Sequence, residues 1–150
     1  MSIKHHTHPD QLERYSFVWS QTRLVIAAVA LFLGGYPPVL YFLPTLYGIT
    51  LPFLHLSWIV SGVASAYLLY RWHGGEKKLF GGRDQRDTYA FFVSVISGIN
   101  LGLAGLLGQN IGMSVSYGNQ VLFVITGAAY LWAAWHLRKR WSASGEKMFT

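Results

Sequence analysis

LVIAAVALFLGGYPPVLYFLPTLYGITLPFLHLSWIVSGVASAYLLY, residues 24–70, runs for 47 residues without an Asp, Glu, Lys or Arg. A bilayer's hydrocarbon core takes about 20 apolar residues per helical crossing, so this stretch holds two crossings and a tight turn. A second stretch, Thr88 to Leu137, is 50 residues long and equally free of charge. One charge at the centre of a spanning helix costs on the order of 2.5–3.5 kcal/mol on insertion scales. A soluble chain with two buried hairpins is the competing reading, but nothing amphipathic remains to cover such hairpins. The expected fold is therefore all-α integral membrane, with four transmembrane helices.

The chain is 52% hydrophobic and 12% charged, about half the charge of a typical soluble domain. Its charges fall in three blocks: the N-terminus as far as Arg23, a central stretch from Arg71 to Asp87, and the C-terminus from Arg138. These blocks hold all twelve Lys and Arg, whereas the connections near Pro44 to Thr50 and near Gln109 to Asn119 hold none. Basic residues accumulate on the cytoplasmic side of membrane proteins, so four crossings place both termini inside, in an inner or plasma membrane. The net charge of +6 then reflects topology and contact with anionic lipid headgroups, with no reason to invoke nucleic acid. The N-terminal stretch has no apolar run leading to a small-residue cleavage site, so it does not read as a cleaved signal. There is no cysteine, which removes disulfides, thiolate metal sites and cysteine nucleophiles.

The expected helices are Thr22 to Phe42, Leu51 to Trp72, Thr88 to Ile111 and Tyr117 to Arg138. They form one membrane domain: a tail (1–21), hairpin one (22–72), a loop (73–87), hairpin two (88–138) and a second tail (139–150). Pro37 and Pro38 fall in the last third of the first helix and should kink or unwind it. The halves also echo one another. Tyr47-Gly48 recurs as Tyr117-Gly118, Ile59-Val60-Ser61-Gly62 as Val124-Ile125-Thr126-Gly127, and Gly75-Glu76-Lys77 as Gly145-Glu146-Lys147. Each half begins in the cytoplasm, so the copies would be parallel, related by an axis along the membrane normal.

On the third helix Ser94, Gly98, Gly102, Gly105, Gly108 and Gly112 advance by steps of three or four. Such a face lets a neighbouring backbone approach closely, which matters in lipid because hydrophobicity does not drive helices together there. It is read as a packing seam, against a helix of this chain or of a second subunit; pore-lining glycines are the alternative. Ala27, Ala30 and Gly34 on the first helix, and Ser57, Ser61 and Ser65 on the second, make smaller seams. Asn100, mid-helix, needs a partner and is read as an interhelical tie that fixes register. A path lined by Ser57, Ser61, Asn100 and Gln109 would suit a channel.

Two imidazoles on neighbouring helices can ligate haem iron, and His73 and His136 both sit near inner helix ends; interfacial, solvated histidines are the default reading. His5, His6 and His8 lie on a tail with no preformed metal geometry, so no metal and no cofactor is expected. Most aromatics divide between the two interfaces as a belt. The spans are read as free of acidic and permanently basic residues, on which proton relays and ion-coupled sites depend. Neither a Ser, His and Asp constellation nor a phosphate loop is present, so no enzyme activity is expected.

The run Ser97-Gly98-Ile99-Asn100-Leu101-Gly102-Leu103-Ala104-Gly105-Leu106-Leu107-Gly108, followed by residues 121–131 (VLFVITGAAYL), resembles the small two-helix membrane family catalogued as domain of unknown function number 378. That family's pattern has Gly, Asn and Gly at the positions of Gly98, Asn100 and Gly102, then an aromatic and an Asp before its turn, where this chain has Leu107 and Asn110. The resemblance covers about a third of the chain, implies paired hairpins, and carries over no catalytic residue. The leading functional expectation is a non-catalytic accessory subunit or scaffold that packs through its glycine face in a larger membrane assembly, with a membrane-protein partner or as a homo-oligomer. A small oligomeric channel or carrier is the rival, and a haem- or quinone-binding membrane anchor the third reading.

Overall fold

The structure is a computed structural model and describes residues 9–109 and 119–149. Four helices are long and apolar enough to cross a membrane. They are α1 (Pro9–Phe32), α3 (Tyr47–Gly74), α4 (Gln85–Leu107) and α5 (Gln120–Ala143); a short α2 (Pro38–Phe42) and a 3-10 turn (Pro44–Leu46) join α1 to α3. Their outward faces carry large apolar side chains, among them Ile26, Phe53, Leu107 and Ile125. That is how a bundle solvated by hydrocarbon on its outside is built.

The first helix is not where the charge-free stretch alone placed it. Over the described residues it runs Pro9–Phe32, so it is already helical thirteen residues before Thr22. Gly34 and Gly35 take φ of 79° and 90°, and the Gly35 amide closes the end by donating to the Ala30 carbonyl at 2.9 Å. Left-handed φ is cheap only for glycine. Pro37 and Pro38 therefore follow a finished helix and do not kink a continuing one. Arg14 and Arg23, expected in a tail or at its edge, lie inside α1.

The other boundaries have local causes. In α3, Pro52 sits near the N-terminus, where a missing donor disturbs little. Asp84 caps α4 by accepting from the amides of Arg86 at 2.7 Å and Asp87 at 3.3 Å. Those two bonds, the Arg86 amide's first, hold its carboxyl below the usual aspartate range. Gly108 ends α4 with φ 71° and donates to the Ala104 carbonyl. Asn119 caps α5 through the amide of Leu122.

The core is concentrated at the end that carries the 75–84 loop, called the basic end below. Phe17, Leu68, Phe91, Leu137 and Trp141 meet there, and Leu79 from the loop and Met148 from the C-terminal segment are buried among them. The Phe80 amide donates to the Met148 carbonyl at 2.7 Å. By contrast, neither α2 nor the 3-10 turn at the far end buries any residue.

Helices α3 and α4 make the closest approach. A Cβ on Gly102 would lie 2.7 Å from the Gly62 Cα, and one on Gly105 would lie 2.9 Å from the His55 carbonyl oxygen. Of the expected seam residues, Ser94, Gly98 and Gly102 are buried, and Gly98 and Gly105 also face α3. Gly108 has nothing within 4 Å of an added Cβ, so its role is the helix end. Gly112 lies outside the described residues.

Candidate functional site

The expectation that the spans lack charge is overturned by Arg23. It sits 14 residues into α1, about 21 Å along the axis from Pro9, and is only 6% exposed. The buried residues of α1 are Glu13, Phe17, Ser20, Gln21, Arg23, Leu24 and Ala28, with three polar residues together between Phe17 and Leu24. The guanidinium therefore points into the bundle and not along the helix to an interface.

There it meets α4. Arg23 Nη1 donates to Ser97 Oγ at 2.6 Å and Nη2 donates to the Ser94 carbonyl at 2.8 Å. Gly98 makes room for the contact: a Cβ at that position would lie 3.1 Å from Arg23 Nη2 and inside the Ser65 hydroxyl. Ser65 on α3 is fully buried, and the Tyr130 side chain on α5 lies beside Ser97. Four helices thus contribute to one polar cluster inside the bundle.

Among the described residues, no carboxylate pairs with this cation. The six carboxylates of the chain are engaged or distant. Glu13 pairs with Arg71, Asp87 with His136 and Arg140, Glu146 with Arg14, and Glu76 with Lys78. Asp84 caps α4. Asp10 lies thirteen residues before Arg23 on the same helix, about 20 Å away. Arginine stays protonated in proteins, and burying it without a counter-charge opposes folding unless other groups solvate it. Two charge-assisted hydrogen bonds, each contributing about 1.5–3 kcal/mol, offset that cost in part. Arg23 Nε, Ser20 Oγ and Ser65 Oγ are buried with no hydrogen-bond partner. The cluster thus has positive charge and spare donors.

Lower in the bundle two carboxylates close the basic end. Glu13 accepts from Arg71 Nη2 at 3.0 Å through Oε2, and through Oε1 from the amides of Met148 at 2.9 Å and Phe149 at 3.2 Å. Asp87, 1% exposed, bonds His136 Nε2 at 2.7 Å and accepts from Arg140 Nε at 2.9 Å. Ring contacts cross between the same helices: Phe17 stacks on Trp141 at 4.8 Å and Phe91 lies against Trp72 at 5.9 Å.

The structure separates the other residues singled out in the sequence. The Ser57 hydroxyl donates to its own helix at Leu54, and that of Ser61 donates to Ser57 while accepting from Trp19 Nε1 at 3.0 Å. Asn100 is half-buried on α4, and Gln109 is exposed beyond its end. For the haem reading, His136 Nε2 is occupied by Asp87, its ring stacks on Trp132, and His73 is exposed. No cluster of three metal-ligating side chains occurs among the described residues. His5, His6, His8, Asn110 and Tyr117 lie outside those residues.

Arg23, Ser97 and Tyr130 were not legible as a site. Arg23 looked like the last residue of a tail, and only the uncharged run from Tyr15 to Thr22 signals that the helix extends through it. No family model, curated protein or solved structure matches the chain.

Proposed function

We propose that this chain is a non-enzymatic integral membrane protein that binds and passes a small inorganic anion, with Arg23 as the binding charge. The carrying observation is the buried guanidinium with no carboxylate partner among the described residues. A halide-sized anion at Arg23 supplies the missing counter-charge, and Ser20, Ser65 and Tyr130 bring hydroxyls to its shell. Intramembrane charge facing a bundle interior marks ion paths more often than lipid contacts. The reading as an accessory subunit docked through its glycine face has less support, because Gly98, Gly102 and Gly105 are taken up by α3.

The same proposal includes topology. The three basic blocks favour both termini in the cytoplasm. Two parallel hairpins are supported by paired contacts: Glu13 with Arg71 in the first and Asp87 with Arg140 in the second, then Phe17 on Trp141 and Phe91 on Trp72 between them. In this cysteine-free chain, Arg83→Cys should react with an impermeant maleimide only after the membrane is opened, and Thr45→Cys in intact cells. The reverse order refutes the orientation.

Purified protein in liposomes should release chloride, nitrate or fluoride down a gradient when a potassium ionophore balances charge, as read by an ion-selective electrode. Arg23→Gln should slow release by about tenfold or more, the worth of one hydrogen bond to a charged group. Its thermal midpoint should stay at or above wild type, because a buried charge has been removed. Wild-type liposomes that hold all three anions would end this reading, and a stably co-purifying membrane partner would restore the subunit one.

A further inference from the structure

Between α1 and α5, a groove of about 670 Å³ opens on the side of the bundle. It lies on a different face of α1 from Arg23 and plays no part in the proposed anion site. Val18 and Val25 line it from α1, and Leu131 and Trp135 line it from α5. These four make an apolar trough along the helix axes. Three polar residues interrupt it: Thr22, whose hydroxyl donates to the Val18 carbonyl, Gln21 and Arg138. Gln21 lines its middle, and that side chain is 8% exposed with neither Nε2 nor Oε1 hydrogen-bonded. Arg138 lines its basic end and lies exposed beside the Trp141 ring, 5.1 Å from the ring centre.

The helices run antiparallel here, since Phe17 meets Trp141 and Gly127 meets Phe32. Arg138 is thus at the Val18 end, and Gln21 lies about one helical turn, ~5 Å, further in. A cation at the interface, a buried amide one turn deeper and an apolar trough beyond reproduce the sequence of a glycerophospholipid: phosphate, acyl ester, chain. The geometry points to a bound anionic phospholipid in this groove, its phosphate on the Arg138 guanidinium, an ester carbonyl accepting from Gln21 Nε2, and one acyl chain along Val25 and Leu131. Arginine holds phosphate through paired charge-assisted bonds. A buried amide left without a partner costs about 1–3 kcal/mol, and the ester carbonyl offsets part of that. Lipid is the occupant favoured over a protein helix because the groove pairs an exposed guanidinium at its basic end with an unpartnered buried amide one turn further in, as a phosphate and its acyl ester require.

The test is native mass spectrometry of the intact protein after incubation in mild detergent with equimolar dioleoyl phosphatidylglycerol and dioleoyl phosphatidylcholine. Wild type should keep one phosphatidylglycerol. Gln21→Leu and Arg138→Gln should each lower that retention about tenfold, the loss of one hydrogen bond involving a charged or buried group, with unchanged thermal midpoints. Lys78→Gln and Arg86→Gln, at the same end but not lining the groove, should keep it. Equal retention of phosphatidylcholine, wild-type retention by Gln21→Leu, or equal losses from the Lys78 and Arg86 variants would each overturn the site, the last by showing diffuse surface attraction. Should Gln21→Leu fail to fold, Arg138→Gln decides alone. Because these readouts do not involve anion flux, they stand or fall separately from the role of Arg23.

Discussion

Gly102→Leu is expected to destroy the bundle. A Cβ at this position would lie 2.7 Å from Gly62 Cα and 3.3 Å from Gly62 N, with the Trp58 carbonyl oxygen at 3.7 Å. All three are backbone atoms, so no rotamer change relieves the clash; the helices themselves must part. One extra methylene in a packed core costs roughly 1–3 kcal/mol, and leucine adds four carbons along a contact that also holds Gly98 against Ser65 and Gly105 against His55. The loss should exceed about 3 kcal/mol, enough to unfold a protein of ordinary stability. Detergent-solubilised Gly102→Leu should aggregate on size exclusion, or melt far below wild type by helical circular dichroism. Gly48→Leu is the control: an added Cβ there meets nothing within 4 Å, and replacing a helical glycine is favourable by up to about 1 kcal/mol. A wild-type midpoint for Gly102→Leu would mean that α3 and α4 stand further apart than their glycines imply.

That contact was readable in advance because lipid makes its physics simple. With no hydrophobic drive between helices, close approach needs small residues on one face, and α4 places them at helical spacing. The same residue type ends helices, and periodicity alone does not tell the roles apart. Gly108 kept the spacing of the seam, yet it is there for its positive φ. The four helices were legible for a similar reason, since bilayer thickness sets the length of an uncharged run. What the charge count misplaced was α1. Treating Arg23 as a boundary moved the first helix by more than two turns and emptied the bundle of charge. The inward face of α1 is half polar, with Ser20, Gln21 and Arg23 between Phe17 and Leu24, so no apolar stripe announced it. Of the small-residue strip, Ala27 and Ala30 are half-buried, and the fully buried alanine of α1 is Ala28. Glu13 and Asp87 were hidden differently. Charged residues flanking spans are expected in water, and only tertiary structure shows that Met148, Phe149 and Arg140 come back to cover them.

Asp87→Asn should be the most damaging isosteric change at the basic end. The carboxylate is 1% exposed and serves three donor contacts, Arg140 Nε to both oxygens and His136 Nε2 to one. Asparagine keeps the shape but presents an NH₂ where an acceptor is required, so Arg140 loses an oxygen and faces another donor. Removing one partner of a fully buried pair costs about 3–5 kcal/mol. Arg140 is 40% exposed here and can regain water, which lowers the expectation to about 2–3 kcal/mol. Glu13→Gln should cost less, because Gln retains one carbonyl oxygen for the Met148 and Phe149 amides and gives up chiefly the contact with Arg71. Thermal melts of the two variants in one detergent decide the matter. If Asp87→Asn melts with wild type, the Asp87, His136 and Arg140 contacts are not what closes this end of the bundle. The closing role would then fall to Phe17, Trp141, Leu79 and Met148, whose packing needs no charge.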